Sequence, residues 1–353
     1  MNLHGSIAPG SVHRRLASHS GPQAPVNSPL RDGGGPHIVA VDPLRFLTSE
    51  HGFFTRQEAR EAGYDDRAVA RMVRSRTWVR FRRGYYAFAD EWEGLDEVGR
   101  HRVRSSAVLR SLGDVVALSH VSGSVRHDIE VWGAPLDRVH VTRLDGGPGR
   151  IEGDVVHHEG LTVDNDVMVV AGERVLPPAR CALEAGSRLS NEPALCLFDA
   201  GLRNRKFDHE ELAAQFRLMQ HWPFMRHLHI PVRMADGRSG SVGESRGRWT
   251  FRIVGLPAPV LQYEVRDRHG ILIGIVDWWW PQLNLMGEFD GRIKYGRLLK
   301  PGQNPGDAVF EEKKREDELR EVTGAAMLRL TWADYERPIE IRRRVERLAR
   351  LAG

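Results

Sequence analysis

Apolar positions recur at helical spacing near the start of the chain and then switch to alternation. Leu44, Phe46 and Leu47 predict a first short helix. Thr55 stands where it would cap a second helix over residues 56–63. Glu58, three residues on, completes a capping box, and Gly63 ends the element. Asp65 or Asp66 then caps a third helix running to Arg76. In it Val69, Met72 and Val73 form an inner stripe, while Arg67, Arg71 and Arg74 share another face. Residues 79–88 alternate around Gly84, as two strands joined by a turn would. Three helices followed by a ribbon make a winged helix-turn-helix, placed at residues 43–95.

The remaining pattern divides into three stretches. Residues 1–42 are rich in Gly, Pro and Ser and carry scattered Arg without an apolar h-region. This predicts a disordered leader and excludes a secretory signal. Residues 96–235 read as an α/β middle region. It has an apolar run at 115–120, alternation at 138–143, a Gly-Gly-Pro-Gly turn at 146–149 and a short strand at 167–170. Helices are expected at 177–189, 194–203 and 208–219, the last capped by Asp208. In residues 236–353 a helical segment holding Glu244 precedes an apolar strand, 271–277, that ends on Asp277. A second strand carrying Glu288, a charged helix at 307–322, a strand at 327–332 and a terminal helix at 339–351 follow. The expected fold class is multidomain α/β, with a winged helix-turn-helix, an α/β middle region and a C-terminal α/β core.

Composition narrows the function classes. A length of 353 residues exceeds the usual single domain, and 41% apolar content is enough for real cores. No run of eighteen apolar residues is present, so no membrane span is expected. Cys181 and Cys196 lie in apolar helical sequence without CxxC spacing and read as core thiols of a reducing, cytoplasmic setting. The sixteen histidines form no HExxH pattern, and His157, His158 and the group from His221 to His229 read as surface or structural residues. Ser119 beside His120 gives no catalytic geometry.

Net charge is only +4, so its placement matters more than the total. Residues 55–84 hold nine arginines against four acids. That concentration, beside a cap-turn-cap pattern, points to double-stranded DNA. The candidate contacts are Arg67, Arg71 and Arg74 on the third helix and Arg80, Arg82 and Arg83 on the wing. Arginine on a helix in the major groove can bind guanine edges bidentately, while wing arginines mostly meet phosphate.

A second chemistry resides in acids near the C-terminus. Burying a carboxylate is costly unless it is paired or bound to metal. Asp277 at the end of an apolar run, with Glu244, Glu288 and Asp290, therefore forms a candidate site for Mg²⁺, a hard cation that prefers oxygen. Glu288 and Asp290 lie two apart and would share a strand face. A metal held there could activate water and neutralise a phosphate under attack. The alternative for each acid is a turn former or a partner for Arg, and Arg315 and Arg329 are themselves balanced between phosphate and nearby acids. Trp278, Trp279 and Trp280 either stack on splayed bases or, in part, fill the core.

These parts resemble a group of actinobacterial proteins with an AbiEi-like antitoxin winged helix followed by a very-short-patch-repair-like nuclease fold. The first likeness rests on Phe54-Thr-Arg-Gln-Glu-Ala and Arg83-Gly-Tyr-Tyr-Ala, with Val175-Leu-Pro-Pro-Ala-Arg-Cys-Ala-Leu-Glu184 in the middle. The second rests on Gly243-Glu-Ser-Arg246, Gly255-Leu-Pro-Ala-Pro-Val-Leu-Gln262, Val276-Asp-Trp, Glu288-Phe-Asp-Gly-Arg-Ile-Lys-Tyr295, Glu312-Lys-Lys-Arg315 and Leu328-Arg-Leu-Thr-Trp332. The resemblance implies a PD-(D/E)XK, restriction-endonuclease-like core with Glu244, Asp277 and Glu288 as its acids. It implies a DNA-binding regulator of a type IV toxin–antitoxin or defence system, with a cognate nucleotidyltransferase toxin as partner. The alternative it implies is a Mg²⁺-dependent DNA endonuclease. The sequence departs from the motif where a Lys should stand two residues after the second-strand acid. Asp290 occupies that position, and Lys294 is the basic residue offered in its place.

Overall fold

Side-chain caps punctuate the start of the chain. A computed structural model describes residues 42–160, 166–291 and 305–352. Asp42 accepts from the Leu44 N–H and starts α1 (Pro43–His51). After the two-residue β1 (Phe54–Thr55), Thr55 caps α2 (Arg56–Glu61), and the Glu58 carboxylate in turn accepts from the Thr55 N–H. Asp65, rather than Asp66, caps α3 (Asp66–Arg74). This helix ends two residues before Arg76, which adopts φ 57° as the chain turns into strand. β2 (Trp78–Arg82) and β3 (Tyr85–Phe88) form the ribbon, and Gly84 supplies the φ of 82° that the turn needs. β1 pairs with β3, giving a three-stranded order β1-β3-β2. Leu44, Phe54, Val69, Trp78, Tyr86 and Phe88 close the core beneath it. Because the Thr55 hydroxyl satisfies an otherwise orphaned helix N–H, Thr55→Ala is expected to cost about 1 kcal/mol of stability. Chemical denaturation would show it as a lower midpoint, with Thr55→Ser close to wild type.

Two helices, α4 (Ala89–Gly94) and α5 (Glu97–Leu112), lead into the middle region. Its strands are β4 (Val116–Leu118), β5 (Val139–Arg143), β6 (Arg150–Glu152), β7 (Val155–His158), β8 (Met168–Val170) and β9 (Glu173–Val175), with α6 (His120–Arg126) between the first two. They form one sheet of order β6-β7-β5-β4-β9-β8, in which β5–β7 and β4–β9 are parallel. α7 (Pro178–Gly186), α8 (Asn191–Arg203), α9 (His209–Met219) and α10 (His229–Met234) follow. Asp208 caps α9 in a capping box with Glu211.

In the C-terminal region α11 (Val242–Ile253) precedes β10 (Val260–Arg266), β11 (Leu272–Trp280) and β12 (Leu285–Phe289). Then come α12 (Pro305–Thr323), β13 (Ala326–Leu330) and α13 (Pro338–Ala352). The sheet order is β10-β11-β12-β13, antiparallel except for the β12–β13 pair. One face buries Trp278, Trp280, Phe289 and Leu328 with Phe251 of α11 and Val345 of α13. The other buries Val276, Met286 and Met327 with Leu319 of α12. Gly243 and Gly247 let α11 lie close on the sheet. A Cβ would stand 2.0 Å from the Phe289 ring at the first and 2.4 Å from the Trp278 ring at the second. One sequence expectation is corrected here: β11 does not end at Asp277 but runs on to Trp280. Of the two alternatives for the tryptophans, core filling holds for Trp278 and Trp280. Trp279 is half-buried and stacks on Tyr263, so the three tryptophans do not form one platform for bases.

The middle region joins the other two. Arg82 of the wing forms an ion pair with Asp154, and Arg110 of α5 one with Glu58 of α2. On the other side Arg246 meets Glu192 at 2.7 Å, and Arg248 meets the fully buried Asp199 at 2.6 Å.

Candidate functional site

Two clusters of side chains carry the candidate chemistry. The first is cationic. α3 buries Ala68 and Val69 against the wing, and its helical spacing turns Arg67, Arg71 and Arg74 outward, where all three are exposed. Arg80 on β2 and Arg83 at the turn are exposed as well. None of these five forms an ion pair with a described residue. Arg82 differs. It is half-buried and engaged by Asp154, 72 residues away in sequence. Its guanidinium braces the wing on the middle region, which corrects its place among the DNA contacts expected from the sequence. Arg82→Ala is therefore expected to leave the salt dependence of DNA binding unchanged, whereas Arg83→Ala lowers the log–log slope by about one unit. Anisotropy titrations of both variants over a salt series would separate them.

The second cluster is acidic and begins at α11. Ser241 caps that helix by accepting from the Glu244 N–H. The buried Glu244 carboxylate accepts from the Gly240 N–H at 2.7 Å, the Ser241 hydroxyl at 2.9 Å and Gln262 Nε2 at 2.9 Å. The same Gln262 nitrogen lies 3.4 Å from Asp277 Oδ1, so one amide links the two acids. Gln262 does this from φ 49°, a left-handed conformation rare for a residue with a β-carbon. It interrupts the β10–β11 ladder between the pairs Leu261–Trp278 and Tyr263–Val276, the step at which Asp277 stands. The other Asp277 oxygen accepts from the Phe289 N–H at 2.7 Å. Close by, the buried Tyr335 phenol donates to the Gly243 carbonyl, and burial pushes its pKa well up, so it stays protonated.

Glu288 is drawn elsewhere. Arg315 from α12 approaches it at 2.7 Å and Arg329 from β13 at 3.5 Å, so both arginines pair with an acid here. Asp290 follows the end of β12, and its N–H continues the ladder to the Leu330 carbonyl. The structure thus joins Glu244 to Asp277 through Gln262 and holds Glu288 on arginines. Among the described residues these acids do not supply three ligand atoms within 4.8 Å of one another. Lys294 lies outside the described residues, as does the expected leader.

Sequence reasoning missed two sets of residues. Gln262 carried a signal only as the last residue of the Gly255–Gln262 likeness. His120, His140 and His158 carried none, having no motif spacing, yet they converge in the middle region. Of the two readings of His157 and His158, surface or structural, the burial favours the second: His157 is buried and His158 half-buried in β7.

Three short helices and a three-stranded wing with an exposed arginine face belong to the winged helix-turn-helix class. Residues 42–89, from the α1 cap through β3 to Ala89, match the family model of a transcriptional regulator, AbiEi antitoxin. A comparison with curated proteins finds no match. Among the described residues no helix is long and apolar enough to cross a membrane.

Proposed function

We propose that this protein is a DNA-binding transcriptional regulator of the AbiEi-antitoxin kind, acting in a type IV toxin–antitoxin or defence system. The supporting observation is the set of exposed arginines on α3 and the wing, all inside the segment that matches the antitoxin model. In this reading α3 enters the major groove of double-stranded DNA, where Arg67, Arg71 and Arg74 reach base edges or flanking phosphates. Arg80 and Arg83 bring the wing onto the backbone. The family match also motivates a nucleotidyltransferase toxin as partner. The test is a fluorescence titration of the full chain on labelled duplex between about 50 and 200 mM salt. Affinity that falls steeply with salt supports the reading, and no binding at the lower salt overturns it.

A second reading, a Mg²⁺-dependent DNA endonuclease, is favoured by the Glu244–Gln262–Asp277 link. Two carboxylates on the side-chain amide of one residue whose backbone is held at a positive φ, at the edge of a mixed sheet, are more than a purely structural contact needs. Mg²⁺ needs only one or two protein carboxylates when substrate phosphate and water complete its shell. Asp277 with Glu244 is therefore a sufficient donor set, with Asp290 and Lys294 as the further groups proposed for it.

A further inference from the structure

His120, His140 and His158 come from three separated stretches of the middle region and meet on one face of its sheet. β5 and β7 are parallel neighbours in which Val139, Val141 and Val155 face a buried apolar core. Strand alternation sends His140, Thr142 and His158 to the opposite face. There His140 Nδ1 lies 2.9 Å from His158 Nε2, and the His120 ring stacks on that of His158 with centroids 3.6 Å apart. One ring nitrogen from each of the three lies within 4.8 Å of the others.

Three features prepare this group for a ligand. First, His120 is held at φ 51°, a conformation that costs a residue with a β-carbon on the order of 1–3 kcal/mol. Second, its Nδ1 stands 3.1 Å from the Ser119 hydroxyl and 3.3 Å from Glu184 Oε2, which fixes the ring and leaves Nε2 for a metal. Carboxylate or hydroxyl partners on the far nitrogen are how ligating histidines are oriented. Third, the Thr142 hydroxyl is buried on the same strand face without a hydrogen-bond partner among the described residues. An unsatisfied buried hydroxyl calls for a water or an ion.

Burial keeps the imidazoles neutral, the form that binds metal. It holds His140 down to about 4, His158 down to about 3 and His120 well below its ordinary value. We propose that His120, His140 and His158 form a site for a borderline divalent transition cation of the zinc class, which ties β5, β7 and the start of α6 together. Imidazole nitrogen suits such a cation, whereas Mg²⁺ prefers oxygen. The charge around the rings is mixed. Glu184 favours a cation, and Arg180 is neutralised by Glu184 and Asp166. Arg188, exposed after α7, places positive charge on all three rings and opposes one.

The experiment titrates chelator-treated full chain with Zn²⁺ by calorimetry and with Co²⁺ by visible absorption. One equivalent should bind, and Co²⁺ should show the intense band of a tetrahedral nitrogen site. His140→Gln and His158→Gln should each weaken binding by roughly a hundredfold or more, and Ser119→Ala by about tenfold. Arg188→Gln should bind more tightly. A wild type that takes up no Zn²⁺ or Co²⁺ would overturn the site, as would histidine variants that bind normally. If a histidine variant fails to fold by circular dichroism, the decision passes to the wild-type Co²⁺ spectrum with Ser119→Ala and Arg188→Gln. An octahedral spectrum unmoved by either change counts against the site.

Discussion

Replacing Arg71 and Arg74 together by alanine should lower the affinity of the full chain for double-stranded DNA by at least about thirtyfold near 0.1 M salt. Each arginine that reads a base edge is worth roughly 1–3 kcal/mol, so two contribute at least about 2 kcal/mol, or a factor near thirty. Both side chains are exposed in the last turns of α3, and neither forms an ion pair with a described residue, so their removal does not strand a partner. The mode of contact is separable. If they meet phosphate, the loss is uniform across DNA sequences and the salt slope falls by about one unit per residue. If they meet bases, the loss is largest on the cognate site and specificity relaxes at those positions. Undiminished binding by the double variant, with its circular dichroism unchanged, would remove α3 from the DNA.

What could be read in the sequence was what short-range chemistry decides. The Thr55–Glu58 box, the Asp208 cap and the Gly84 turn involve residues within a few positions of one another, and each stands where the pattern placed it. β6, β7 and β9 were not read. They are three or four residues long, which gives too few positions for alternation to register. Side-chain direction was harder still. Charge counting found the arginines, but the engagement of Arg82 depends on Asp154, whose place next to the wing is a tertiary fact. The histidines meet because β5 and β7 are in parallel register and His120 starts the helix after β4, relations with no trace in spacing. Among the acids, spacing says nothing of their partners. The amide of Gln262 and the arginines facing Glu288 divide a set that had been read as one.

Asp277→Asn should abolish metal-dependent DNA cleavage if the endonuclease reading holds, lowering the rate by roughly a hundredfold or more. Asparagine keeps the size of the side chain and can still accept from the Phe289 N–H, so the sheet should be preserved. It removes the charge that would hold Mg²⁺ against a phosphate, and a single electrostatic group of this kind is typically worth about 3–4 kcal/mol in the transition state. Wild type should nick supercoiled plasmid with Mg²⁺ or Mn²⁺ and not with a chelator. Asp277→Asn and Glu244→Gln should retain duplex affinity, because α3 and the wing are untouched. Gln262→Ala should slow cleavage without abolishing it, since it positions two acids and is not itself a ligand. Lys294→Ala tests the proposed cation: Asp290 cannot offer positive charge to a phosphate, so loss of Lys294 should stop cleavage and leave binding intact. If wild type cleaves nothing with either metal, the Glu244–Gln262–Asp277 contact is a structural clasp between α11 and β11. The chain then acts through its winged helix alone.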